Sequence, residues 1–291
     1  MKIIDGKEVA KRKKEEIAAE VAQMIDNEIK APHLAAVIVG EDPASMTYVK
    51  SKEKTAASVG ITSSVYRYPE TISESELLEV IDFLNNDEEI DGFIVQLPLP
   101  AHISSNKVIE RISPAKDVDG FHPLNTGRLV QNLPSYLPAT PYGILQLLEY
   151  YEIDTEGKHC VVVGRSQIVG TPMALLLSRK AKPGNCTVTI CHSQTRDLTT
   201  ITRQADILIA AIGKAGFITA EMVKPDAVVI DVGIHRIEDD KGNYSLVGDV
   251  KFDEVSKKAS FITPVPGGVG PMTIVGLLQN TLKAAQKEIY Q

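Results

Sequence analysis

Short β-branched runs alternate with longer helical patterns along the whole chain, the arrangement expected of parallel βαβ units. Apolar positions at Val9, Ile17, Val21 and Ile25 fall on one face of a helix predicted over Gly6–Ile29. A strand is predicted at Leu34–Val39, a helix from Pro43 to Ser58, and a strand near Ser64–Arg67. Ser73 and Glu76 form a capping pair that opens the next helix. A strand at Gly92–Gln96 then runs into the breaker Leu97-Pro98-Leu99-Pro100, and a helix near Ser105–Ile112 closes this half.

The stretch KDVDGFHPLNTG (Lys116 to Gly127), with Pro134, Pro138 and Pro141 after it, has linker composition and places a domain boundary there. The boundary divides the chain into 1–119 and 120–291. Pro141 suits the first turn of a helix running to Tyr150. Further strands are predicted at His159–Val163, Thr187–Cys191, Ile207–Ala210 and Val228–Val232, each but the last followed by a helical pattern. Glu238–Gly242 reads as a polar turn tip. A last strand near Phe261–Ile262 leads into PVPGGVGPMT (Pro264 to Thr273), and an apolar-periodic helix closes the chain. The expected fold is α/β with two domains, the second a Rossmann-like parallel sheet and the first an α/β domain.

Bulk properties narrow the class. The chain has 291 residues, is 43% hydrophobic and 24% charged, and carries no low-complexity run, as expected of about two globular domains. Cys160, Cys186 and Cys191 are an odd number without metal-type spacing, and read as reduced thiols filling core positions; no metal site is expected. No apolar signal core or membrane-length run is present, so a cytoplasmic protein is expected. A net charge of −7, from 38 acids against 31 bases, argues against a nucleic-acid surface.

The run CVVVGRSQIVGTPMALLL sets a buried strand, a glycine-bearing turn and a helix in immediate succession. Gly164 permits close approach of a pyrophosphate, and the following helix offers free amides and a positive dipole end. Ser166 stands where a dinucleotide fingerprint has its second glycine, so a purely structural turn is a rival. The next strand ends Cys191-His192-Ser193-Gln194-Thr195-Arg196, without the acid that an NAD-selective site uses to hold a ribose hydroxyl. Hydroxyl and basic groups suit a 2′-phosphate, and Arg165 can supply a bidentate contact, which favours NADP.

In the first half, Tyr48 and Lys52 are four residues apart and share a helix face. A solvated lysine beside a half-buried tyrosine is the plain alternative, and it is the expectation for Lys50 and Lys54. Gln96 ends a buried strand, where a polar side chain needs partners. Asp117 and Asp119 read alone as turn formers. The Pro264–Thr273 loop is either a connector or backbone that a flat ligand can approach closely.

Taken together, YVKSK, VQLPLP, KDVDGF, VVVGRSQIVGTP, CHSQT, VIDVGI, VGDV and PVPGGVGPMT resemble the bifunctional methylenetetrahydrofolate dehydrogenase/cyclohydrolases, in order and over nearly the whole chain. The resemblance implies NADP-linked oxidation of 5,10-methylenetetrahydrofolate and hydrolysis of the methenyl product to 10-formyltetrahydrofolate. It implies Lys52 as the essential lysine and Tyr48 as the ring that stacks on folate. Gln96 would hold the lysine, Asp119 the pterin edge. Leu97, Pro98, Pro264, Gly267, Gly268 and Pro271 would line the folate, and Gly164, Arg165, Ser166, Ser193 and Ile234 would bind the cofactor. It further implies a folate-binding 1–119 domain on which the 272–291 helix packs back, a cleft between the domains, and a homodimer. An NADP oxidoreductase acting on another small substrate, or a nucleotide-sensing regulator, would share the second half but give Tyr48, Gln96 and Asp119 no common purpose.

Overall fold

The computed structural model describes residues 1–238 and 244–290. In chain order its elements are β1 (Lys2–Ile3), α1 (Gly6–Asp26), β2 (His33–Val39), α2 (Pro43–Ser58), β3 (Thr62–Tyr68), α3 (Glu74–Asn86), β4 (Gly92–Val95), α4 (Ser105–Arg111), α5 (Pro123–Val130) and α6 (Ala139–Tyr150). There follow β5 (His159–Val163), α7 (Gly170–Ser178), β6 (Thr187–Cys191), α8 (Leu198–Thr202), β7 (Ile207–Ala210) and β8 (Val228–Asp231). The last are β9 (His235–Glu238), β10 (Tyr244–Val247), α9 (Phe252–Val255), β11 (Phe261–Ile262) and α10 (Val269–Ala285). The turn tip expected at Glu238–Gly242 lies, past Glu238, outside the described residues. Among those described, no helix is long and apolar enough to cross a membrane.

Two compact units share the chain. One comprises Arg12–Ala139 and Ile274–Gln291, the other Met1–Lys11 and Thr140–Thr273. We call them the first and second unit.

The first unit is built on a parallel sheet ordered β3-β2-β4. β2 is central, paired from His33↔Thr62 to Val39↔Tyr68 on one side and from Leu34↔Gly92 to Val37↔Val95 on the other. Its sequence, HLAAVIV, is a continuous apolar run because a central parallel strand is covered on both faces. On one face Ala35, Val37, Phe93 and Val95 pack with Leu77, Ile81 and Leu84. The Ser73–Glu76 capping box forms as expected.

Two expectations for this part are corrected. α1 stops at Asp26, and its buried stripe passes through Met24 rather than Ile25, which is 52% exposed; the spacing Ile17, Val21, Met24 keeps to the helical period. The linker-like stretch contains α5. Pro123 sits in its first turn, where its missing N–H costs nothing, and His122 Nδ1 accepts from the Leu124 amide at 3.0 Å. Asn125 is fully buried there, so the prolines punctuate ordered structure. The compact first unit runs through Ala139.

The second unit holds a sheet ordered β1-β11-β8-β7-β5-β6, parallel throughout. β1, not expected from the sequence, is the edge strand, with Lys2↔Phe261 and Ile3↔Ile262 in register, which draws residues 1–11 into this unit. The helix expected after β7 is absent; that crossover holds a single 3₁₀ turn, Ala220–Met222, because Gly213 and Gly216 take positive φ (+75° and +59°) and turn the chain. β9 and β10 form an antiparallel pair.

Candidate active site

In the first unit α2 starts at Asp42, whose carboxylate accepts from the Ser45 amide at 2.7 Å, with Pro43 in the first turn. The helix carries Lys50 and Lys54 on its exposed side and turns Lys52 inward, to 6% exposure. The solvated reading of Lys52 therefore fails, while it holds for its two neighbours. Lys52 Nζ donates to Gln96 Oε1 at 3.2 Å and stands 4.7 Å from the centre of the Tyr48 ring.

Gln96 owes its place to the sheet. Its amide donates to the Val37 carbonyl at 2.8 Å, extending the β4–β2 ladder by one residue. Its side-chain Nε2 donates to the Leu97 carbonyl at 2.7 Å. That bond fixes which way the amide faces, because the remaining oxygen must then point at the amine. Leu97 is half-buried and Pro98 exposed, joined by a cis peptide.

Burial pushes the Lys52 pKa below the ordinary lysine value, and the nearby Asp119 carboxylate opposes this in part. Burial likewise pushes Asp119 above the usual carboxylate range, opposed by Lys52. Two groups that each resist charging alone thus stabilise each other's charge.

The loop bearing Asp119 is anchored from below by residues the sequence did not single out as a group. Asp117, 2% exposed, accepts from the Phe121 amide at 3.1 Å, the His122 amide at 2.8 Å and Asn125 Nδ2 at 2.8 Å. Burial nonetheless pushes its carboxyl up to about 7, against those three donors. Gly120 has φ +74°, and a Cβ there would lie 2.7 Å from backbone atoms of Leu137 and Pro138. Asn280 of α10 donates to both the Val118 and Leu137 carbonyls at 2.8 Å. An asparagine among the buried positions Leu277, Leu278 and Leu282 of this helix was the available signal for it.

In the second unit Gly164 follows β5 with φ +130°, and a Cβ there would fall on the Ala211 carbonyl. A Cβ at Gly170 would fall on the Gly164 carbonyl. These two glycines together bring strand end, turn and helix into contact. Position 166 has no such constraint, and Ser166 Oγ instead accepts from the Val169 and Gly170 amides at 3.1 and 3.3 Å, capping the start of α7. Arg165 and Ser166 are exposed. The Val163↔Cys191 pairing makes the β5 and β6 ends neighbours, so exposed Ser193 emerges beside this loop.

Ile234, 53% exposed, follows β8, and its Cδ1 lies 3.4 Å from where a Gly270 Cβ would be. Gly267 and Gly268 are buried, the former at φ +106°, while Pro264 and Pro271 are half-buried. Tyr48, Lys52, Gln96, Leu97, Pro98 and Asp119 thus belong to one unit. Gly164, Arg165, Ser166, Ser193, Ile234, Pro264, Gly267, Gly268 and Pro271 belong to the other. The three cysteines are free and buried, and no described cluster of His, Cys, Asp or Glu has the make-up of a metal site.

Two family models match the chain. Residues 4–119 match the tetrahydrofolate dehydrogenase/cyclohydrolase catalytic domain, and residues 138–289 the NAD(P)-binding domain of the same family. The chain is 58% identical to the bifunctional protein FolD of Bacteroides fragilis, over 100% of both. It is similar to the solved bifunctional FolD of Campylobacter jejuni, with 48% identity, 99% of each chain covered and a TM-score of 0.93. It also resembles the Trypanosoma brucei FolD solved with NADP cofactor and inhibitor, with 37% identity, 99% and 98% coverage and a TM-score of 0.92.

Replacing Asn280 tests how the Asp119 loop is held. Asn280→Ala strands two buried carbonyls and should lower stability by about 2 kcal/mol, read from the urea midpoint. Asn280→Asp should cost more, since a carboxylate would face both oxygens. An aspartate variant as stable as wild type would contradict this assignment.

Proposed function

Because the chain belongs to the tetrahydrofolate dehydrogenase/cyclohydrolase family, we propose that it oxidises 5,10-methylenetetrahydrofolate with NADP and hydrolyses the 5,10-methenyl product to 10-formyltetrahydrofolate. The observation that carries this reading is Lys52, an amine buried to 6% exposure that touches Gln96 Oε1 and the Tyr48 face. A small hydroxy-acid substrate would leave that constellation without a role.

The residues present fit a dinucleotide. Gly164 and Gly170 let strand end, turn and helix pack in contact, α7 presents its N-terminus at the end of β5, and exposed Arg165 and Ser193 suit a 2′-phosphate. When bound, the nicotinamide supplies the acceptor for the hydride leaving the folate methylene carbon.

The rest of the chemistry falls to side chains of the first unit. Tyr48 offers a ring face on which the pterin stacks, and Asp119 accepts hydrogen bonds from the pterin edge. The methenyl group is a resonance-stabilised cation, which disfavours a charged Lys52 beside it and adds to the effect of burial. Neutral Lys52 takes a proton from the attacking water and returns it to the ring nitrogen as the ring opens. Gln96 aims the amine. Leu97, Pro98, Pro264, Gly267, Gly268 and Pro271 supply substrate-facing backbone and apolar surface, and Ile234 a contact to the cofactor.

A cytoplasmic homodimer belongs to the same reading. On one face the β9–β10 pair exposes Tyr244 and Leu246, apolar side chains of the kind a second copy covers. The formyl product is a one-carbon donor of the type consumed in purine synthesis.

Lys52→Met should leave NADP binding within about twofold of wild type and reduce hydrolysis at least about tenfold. Methenyl absorbance follows the second quantity, and hydrolysis above a tenth of the wild-type rate would remove Lys52 from its role. Arg165→Ala should raise the Kd for NADP about tenfold or more while barely changing that for NAD, because only NADP carries the 2′-phosphate. Equal losses in titrations with the two dinucleotides would mean that Arg165 does not meet the phosphate.

A further inference from the structure

The segments VIDVGI and VGDV bring two buried aspartates to the C-terminal end of the second unit's sheet. Asp249 is completely buried. Its Oδ2 accepts from the Ile212 and Gly213 amides at 2.6 and 3.0 Å, and its Oδ1 from the Lys214 amide at 2.9 Å and from His235 Nε2 at 2.8 Å. Four donors on two oxygens is a nearly saturated carboxylate. Asp231 holds it in place from beneath, accepting from the Asp249 amide at 2.8 Å, the Val250 amide at 3.0 Å and the Gly233 amide at 3.0 Å. Gly233 and Gly248 are glycines because a Cβ at either would collide with one of these carboxylates.

The turn that Asp249 grips follows β7. In a doubly wound sheet, ligands bind outside the strand carboxyl ends where strand order reverses. Here β6 lies on one side of β5 and β7 on the other, so that reversal falls at the β5/β7 ends. Ala211, at the head of the gripped turn, is the residue whose carbonyl lies against Gly164. The same carboxylate holds His235, next to exposed Ile234 beyond β8. One buried group therefore ties together the backbone that follows β7 and the residue that follows Ile234 beyond β8.

We propose that Asp249, acting with His235, is a positioning residue for the dinucleotide: it presets the 212–214 turn and the Gly233–Ile234 backbone in a single geometry before the cofactor arrives. This rests on the dinucleotide reading above. The cofactor then meets preformed backbone and no loop must be ordered on binding. His235 thereby has a defined task.

Asp249→Asn turns one oxygen into an NH₂ that faces N–H donors, so at least one side of the grip is lost. The Kd for NADP, measured by direct titration, should rise about tenfold or more. Hydrolysis of methenyltetrahydrofolate, which uses no cofactor, should stay within about twofold. His235→Ala should weaken NADP in the same direction, and His235→Gln, which keeps a donor for Oδ1, should restore it. If Asp249→Asn does not fold, the two His235 variants carry the test by themselves. Wild-type NADP affinity in Asp249→Asn and His235→Ala overturns the proposal. So does a parallel loss of NADP affinity and hydrolysis, which marks a merely structural role. A wild-type protein that binds NADP but does not turn over folate would refute the proposed function and leave this test standing.

Discussion

Withdrawing an ammonium group from water costs on the order of several kcal/mol unless its surroundings compensate. Everything placed around Lys52 bears on that cost. One amide oxygen, one phenol face and one nearby carboxylate are what the first unit offers it. They are enough to keep the side chain packed inward and too few to make its charged form as comfortable as in water. The amine's pKa is therefore lowered from the ordinary lysine value, the direction a general base requires.

That balance depends on parts of the fold with no chemistry of their own. The β2–β4 pairing fixes the height of Gln96, and the Leu97 carbonyl fixes the orientation of its amide. Asp119 is kept at its distance by a loop that Asp117, Asn125 and Asn280 hold from behind. The second unit works differently. There Gly164 and Gly170 bring strand end, turn and helix into contact, and the buried Asp249 accepts from the amides of the 212–214 turn.

Regular elements were readable where the covalent pattern alone decides them. Leu34–Val39 read as a strand, and Ser73 with Glu76 as a helix start. α5 was missed because Pro123 and Gly127 look like linker residues until His122 and Asn125 find their partners. β1 is two residues long and exists through its pairing with β11, some 260 positions away in sequence, which no local pattern reports. The crossover after β7 looked helical because its apolar residues are spaced that way, whereas two glycines bend it. The site divided along the same line. Gly164 and the acid-free end of β6 argued for a phosphorylated dinucleotide directly. Tyr48, Lys52, Gln96 and Asp119, scattered over about seventy positions, could be joined only through resemblance to a family, since their meeting is a property of the sheet. Asp249 and Asn280 gave no signal strong enough to act on, because a buried polar residue announces itself only once its donors are known.

The most direct test is the titration of Lys52 itself, followed through the ¹³Cε resonance of labelled lysine and assigned by its absence in Lys52→Met. An exposed lysine titrates near 10.4. A midpoint clearly below that value is predicted, since desolvation outweighs the help from Asp119. A midpoint at or above it would mean that the buried amine is held charged, and that water must be activated by some other group.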